Sequence, residues 1–277
     1  MTSNLIMAVI RPMEQYIGAK ALRLTTGDKY YGNVADEALE LYSGLLFYSK
    51  DAYNYAKQAF KTEQGILDGK VGKVEGVEQE TGKGIIGQGV RIATRALNAE
   101  DEFFKQINYR SKLYSIAVRE ARNLNLSTVK DKTFMGKPVS DFELHVQKRF
   151  EEGFKDGVGV NKEAMEWART NTFTDELNPN SLAGLLQKFS INFPAMKQII
   201  PFVRTPVNIA SSVVQRLPIV NLASKRFRQK RFGNNPYQKA EAIGGTVMGS
   251  AFIITALAFA KAGMLTGGGY QDYKLKR

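Results

Sequence analysis

The stretch DEALELYSGLLFYSKDAYNYAKQAFK, residues 36–61, decides the fold class. Within it Leu41, Leu45, Tyr48, Ala52, Tyr55 and Ala59 recur at alternating steps of four and three. That spacing lines up on one face of an α-helix. It predicts a helix over 36–61 whose stripe packs against another helix, and nothing nearby gives its tyrosines a cofactor role. Working outward, a second long helix is expected over 99–123. Asn98 is placed to cap its start, and Glu100, Asp101 and Glu102 suit the positive end of the dipole. Phe103, Ile107, Tyr114, Ala117 and Ala121 share one face, while Arg119 and Arg122 suit the negative end. Shorter helices are expected over 140–154, capped by Ser140, and over 162–170. The fold class that follows is all-α, as an elongated multi-helix assembly.

Two regions break the helical texture. Between 65 and 89 there are eight glycines in 25 residues, which predicts a loop with room for a short hairpin over 71–77. Gly82-Lys83-Gly84-Ile85-Ile86-Gly87 matches the dinucleotide pattern G-x-G-x-x-G. That pattern works only when a buried strand delivers it to a helix. The preceding Val74-Glu75-Gly76-Val77-Glu78-Gln79-Glu80-Thr81 is too polar for such a strand, so nucleotide binding is not expected. After Asn178-Pro179 the prolines Pro194, Pro201, Pro206 and Pro218 stand too close for one long helix. Several short helices are expected there, with Thr205 as an N-cap and Pro206 at a first helical position.

Composition narrows the function. The chain has 277 residues, a net charge of +12, no cysteine and one histidine, His145. Disulfides, thiolate nucleophiles and cysteine-based metal sites are thereby excluded, as is any two-histidine metal motif. No cofactor or metal is expected, and a lone His145 is read as a surface or core-edge residue. The N-terminus carries no cationic segment ahead of its apolar run at residues 5–10, so export by the ordinary secretory route is not expected. Residues 1–186 hold 25 Lys and Arg against 25 Asp and Glu, whereas residues 187–277 hold 14 against only Glu241 and Asp272. This divides the chain into a charge-balanced helical scaffold, 1–186, and a basic C-terminal region, 187–277. Such asymmetry fits a partner of opposite sign, nucleic acid or an anionic lipid surface.

The excess charge peaks at Lys225, Arg226, Arg228, Lys230 and Arg231, five cations in seven residues with Phe227 and Phe232 interleaved or adjacent. The cluster suits phosphates or anionic head groups and reads no base sequence by itself. Eighteen uncharged residues follow at 243–260, inside an apolar helix expected at about 240–264. At 1.5 Å per residue they make roughly 27 Å of helix, close to a bilayer's hydrocarbon thickness. Gly245 and Gly249 have the spacing of close helix approach, and Phe252, Ile253 and Leu257 supply apolar bulk. Membrane insertion and burial in a protein oligomer both explain the run.

Three further segments carry a resemblance. They are Ala99-Glu100-Asp101-Glu102-Phe103-Phe104-Lys105 with Arg110 and Tyr114; Ile200-Pro201-Phe202-Val203-Arg204-Thr205-Pro206-Val207-Asn208 with Arg216 and Pro218; and Met264-Leu265-Thr266-Gly267-Gly268-Gly269. Their order, spanning about 36–269, resembles that in internal virion proteins of short-tailed bacteriophages, the inner-core or ejection proteins. The Pro-Phe-Val-Arg-Thr-Pro segment is the sharpest element, and members are often much longer chains. The resemblance implies a homo-oligomer in the capsid near the portal, in contact with other core or portal proteins. From there it would assist genome delivery across the host envelope after ejection, with DNA or the host membrane as further partners. A cysteine-free helical chain, with local contacts that re-form quickly, fits passage through a narrow tail.

A non-specific nucleic-acid-binding packaging protein is the second class compatible with the sequence. An enzyme is not expected. Peptidoglycan cleavage would need a glutamate of raised pKa in a cleft, and Glu102, Glu120 and Glu166 lie on helices dense in counter-charges.

Overall fold

The structure, a computed structural model, describes residues 2–62, 64–68, 85–175 and 204–264. Among the described residues the fold is all-α, with nine α-helices, one 3₁₀ turn and two short hairpins. The helices are α1 (Thr2–Thr26), α2 (Tyr30–Phe47), α3 (Ser49–Thr62), α4 (Ile85–Asn123), α5 (Asp141–Glu152), α6 (Lys162–Asn171), α7 (Arg204–Arg216), α8 (Lys225–Phe232) and α9 (Pro236–Lys261). The 3₁₀ turn is Val220–Ala223.

Local signals set several ends. Ser140 and Glu143 close a reciprocal capping box on α5, Asn161 caps α6, and Asn235 caps α9 ahead of Pro236. Other expectations are corrected. The stripe from Leu41 to Ala59 does face α4, but the helix breaks at Tyr48, whose ring stacks on Phe150 with centroids 4.4 Å apart. The break lets α2 and α3 each follow α4 separately. Helix α4 starts at Ile85, so Asn98 lies inside it rather than capping it, and Ile85 to Gly89 are helical rather than loop. Arg204 already belongs to α7, which puts Thr205 inside the helix rather than at its cap.

Two hairpins were not expected. Strands β1 (Lys132–Phe134) and β2 (Lys137–Val139) pair antiparallel around Met135-Gly136, and β3 (Phe154–Lys155) and β4 (Val158–Gly159) around Asp156-Gly157. Both loop residues have positive φ in each turn, the geometry that two-residue hairpins favour. The hairpin suggested at 71–77, residues 82–84 of the glycine motif, the segment before Arg204 with Pro201 and Phe202, the triple glycine and the 186/187 boundary lie outside the described residues.

Helix α4 is the axis, and α2, α3, α5 and α6 pack around it. Its apolar contacts are small clusters such as Ala52, Phe104 and Ile107, or Tyr109, Leu113 and Ile116 with Ala164 and Ala168. Between them it buries Glu102, Lys105, Gln106, Asn108, Arg110, Ser111, Lys112 and Ser115. Each has a partner. Lys112 Nζ lies 2.6 Å from Glu37 and 3.1 Å from Glu163, and Arg119 joins the same two carboxylates. Glu102 accepts the amide N–H groups of Ile66 and Leu67 and the Gln106 side chain. Burial pushes the Glu102 carboxyl above its usual range, with those hydrogen bonds pulling the other way.

Helix α1 crosses from this body to the C-terminal region. It contains Pro12 and is mixed in polarity: Leu5, Ile6, Val9 and Met13 are exposed, while Arg11, Glu14 and Gln15 are buried alongside Met7, Ala8, Ala19 and Leu22. Arg11 donates to Asn171, which donates to Asn108, so one polar chain ties α1 to α6 and α4.

Candidate functional site

Helix α9 runs antiparallel to α1, its most extensive neighbour. A Cβ at Gly244 would lie 1.7 Å from the Glu14 carbonyl oxygen, and one at Gly18 would lie 1.8 Å from that of Ala240. On another side a Cβ at Gly249 would meet the Arg216 carbonyl at 2.0 Å. Only glycine permits these approaches. The spacing therefore acts within the chain, and Gly244 and Gly249 make the close contacts, to α1 and α7. Gly245 is buried beside Glu14 and Arg216 at ordinary contact distance.

Charge pairs fix the same half. Glu241 takes Arg11 at 2.7 Å and Lys230 at 2.8 Å, and Glu14 takes Arg216 in a two-pronged contact. Burial pushes the Glu14 carboxyl above its usual range, against the pull of Arg216. Burial also lowers Lys230, which shares one carboxylate with Arg11 and has Arg226 nearby.

Beyond Ser250 the burial of the helix ends. Residues 251–264 are all exposed, with Phe252 at 63%, Ile254 at 67% and Leu257 at 64%. Ile253, Phe259 and Met264 are exposed too, so apolar side chains point to every side of the helix. Helix α9 is the one helix among the described residues long and apolar enough to cross a bilayer by length and composition. In this structure its first half belongs to the body.

The five cations of α8 divide. Arg226 pairs with Asp175, and Lys230 with Glu241, acids that lie outside the basic segment and that the sequence reading did not assign to it. Lys225 and Arg228 are exposed, and Arg228 donates to the Leu222 and Ala223 carbonyls that end the 3₁₀ turn. The Arg231 guanidinium lies 5.5 Å over the Phe232 ring. None of these three has a carboxylate partner among the described residues.

At the foot of α9, α1, the 3₁₀ turn and α8 enclose an open groove of about 520 Å³. Leu22, Leu222, Phe227, Phe232 and Val247 line it, with Arg231 as its one charged lining residue. A smaller cavity of about 160 Å³ between α4 and α5 is bordered by Arg149 and Glu152, which pair with each other.

The residues carrying the family resemblance hold the body together where they are described. Phe103 and Phe104 stack edge to face in the cluster with Ala52. Buried Asn208 donates to the carbonyls of Phe173 and Asp175, which fastens α7 beside α6. His145 faces Glu120 at 3.8 Å, although Glu120 is already held by Arg149. No sequence signal marked the groove, because its walls come from four separated segments. No protein-family model, curated protein or solved structure matches this chain.

Proposed function

We infer that this chain is a structural, non-enzymatic protein of a bacteriophage interior, which oligomerises near the portal and helps carry the genome across the host envelope. The virion setting rests on the resemblance at 99–105 and 200–208. The observation that carries the mechanism is the distal half of α9, uncharged as far as Lys261 and exposed throughout, in a chain whose Lys225, Arg228 and Arg231 have no carboxylate partner among the described residues. Burying one large apolar side chain contributes roughly 1.5–3 kcal/mol, and each cation near an anionic surface adds about 1 kcal/mol. Both contributions point to an anionic membrane surface, entered by residues 251–260, with Lys261 at the head groups, while the first half of α9 stays on α1. DNA is the weaker reading of the same cations, since a phosphodiester backbone offers nothing to cover the apolar half.

The test is flotation of the intact protein with phosphatidylglycerol vesicles in 50 mM and 1 M salt. Binding that persists at high salt and disappears in a chain ending at Ser250 is expected. Binding to duplex DNA alone, falling steeply with salt, would replace this reading with the packaging one.

A further inference from the structure

We propose that the groove at the foot of α9 is a binding site for a single anionic phospholipid, with the acyl chain along Leu22, Leu222, Phe227 and Val247 and the phosphate at Arg231 and Arg228. This deepens the membrane reading, on which it rests, by naming the lipid class and the residues that select it. The argument is one of complementarity. The groove's volume of about 520 Å³ lies within the roughly 300–1,000 Å³ of small-ligand sites. Its walls are mostly apolar, with Thr25, Asn221 and Thr246 as uncharged polar members and Asn221 donating to Thr246, which suits a hydrocarbon chain. Its charge is cationic only: Arg231 stands in the lining, and Arg228 is anchored on the carbonyl of Leu222, itself a wall residue.

The two α8 cations that have acid partners, Arg226 and Lys230, do not line the groove. Of the three without an acid partner among the described residues, Arg231 lines it. A guanidinium fork offers paired N–H donors to phosphate oxygens. Val247 in the groove wall lies four residues, about one helical turn, before the exposed half of α9, so a lipid held there would stand near the helix segment that enters the membrane.

The experiment uses the intact chain and a soluble lipid, dihexanoyl phosphatidylglycerol below its micelle concentration, titrated by calorimetry against the phosphatidylcholine analogue and against glycerol 3-phosphate. At least tenfold tighter binding of the phosphatidylglycerol is expected, with glycerol 3-phosphate at least tenfold weaker than either lipid. Arg231→Gln should bring the two lipids within twofold of each other. Ala21→Trp, which fills the groove from α1, should abolish both, and Val247→Trp gives the same readout from α9 should the first variant lower the melting temperature. Equal affinity for the two lipids, glycerol 3-phosphate binding as tightly, or full binding by a folded groove-filled variant would overturn the proposal. A chain ending at Ser250 separates the two readings: it should keep the soluble-lipid affinity while losing vesicle flotation, and loss of that affinity contradicts the groove site.

Discussion

The two halves of α9 are one continuous helix in opposite surroundings. The first half is glycine-rich, carries Glu241, and is clasped by α1 and α7 through backbone contacts and ion pairs. The second half carries Phe252, Ile254, Leu257 and Phe259, all of them exposed. In a water-soluble monomer the bulky apolar half would be the anchored one. Helix α1 likewise buries Arg11 and Glu14 beside Ala19 and Leu22 and exposes Leu5 and Val9. Matched charges hold the body in register, and several large apolar side chains stand exposed.

Breaking the charged side of this comparison should cost most. Glu37 is buried with Lys112 and Arg119 against it, so Glu37→Gln leaves buried cations under-compensated. We expect a loss of about 3–5 kcal/mol in urea unfolding, and a smaller loss when Glu37 and Lys112 are both replaced by leucine. Gly244→Val comes next. Its side chain would collide with the Glu14 backbone, and a loss of about 3 kcal/mol, with loosening of α9, should appear in thermal melts.

The pH dependence is subtler. Burial raises the Glu163 carboxyl, but Lys112 and Arg119 more than offset this and bring it to about 2, from an ordinary 4.5. A lowered carboxyl contributes stability above its unfolded value that is lost as the folded value is approached. The body should therefore weaken between about pH 4.5 and 2. Glu14 and Glu102 are raised and act in the opposite sense, since protonation relieves their burial. Glu163→Gln should flatten the acid limb of a plot of urea midpoint against pH; an unchanged limb would assign it elsewhere.

The smallest effect on stability, and the largest on binding, is expected for Phe252→Ser/Ile254→Ser/Leu257→Ser. Unfolding should change by no more than about 0.5 kcal/mol, because these side chains are largely exposed, while vesicle flotation should be lost.

The sequence made legible whatever depends on neighbours along the chain. Ser140, Asn161 and Asn235 end helices by local hydrogen bonds, and the stripe from Leu41 to Ala59 finds α4. Helix α1 was missed because Pro12 lies within it and Arg11, Glu14 and Gln15 are buried together with Met7, Ala19 and Leu22, which blurs the apolar period. Tyr48, where the helix breaks, packs on Phe150, about a hundred residues away. Asp156-Gly157 was a hairpin signal that passed unused. The basic cluster was visible as composition, but its division was not: the acids for Arg226 and Lys230 arrive from α9 and from the residues after α6, and only tertiary contact shows which cations remain.

The most direct measurement is fluorescence quenching by brominated phosphatidylglycerol vesicles in wild-type protein and in Phe259→Trp. The native Trp167 is buried beside Arg11 and should be quenched in neither, whereas a tryptophan at 259 should be strongly quenched, at 1 M salt as at low salt. Vesicle-bound protein in which the tryptophan at 259 stays unquenched would contradict the claim that the free half of α9 is built to enter lipid.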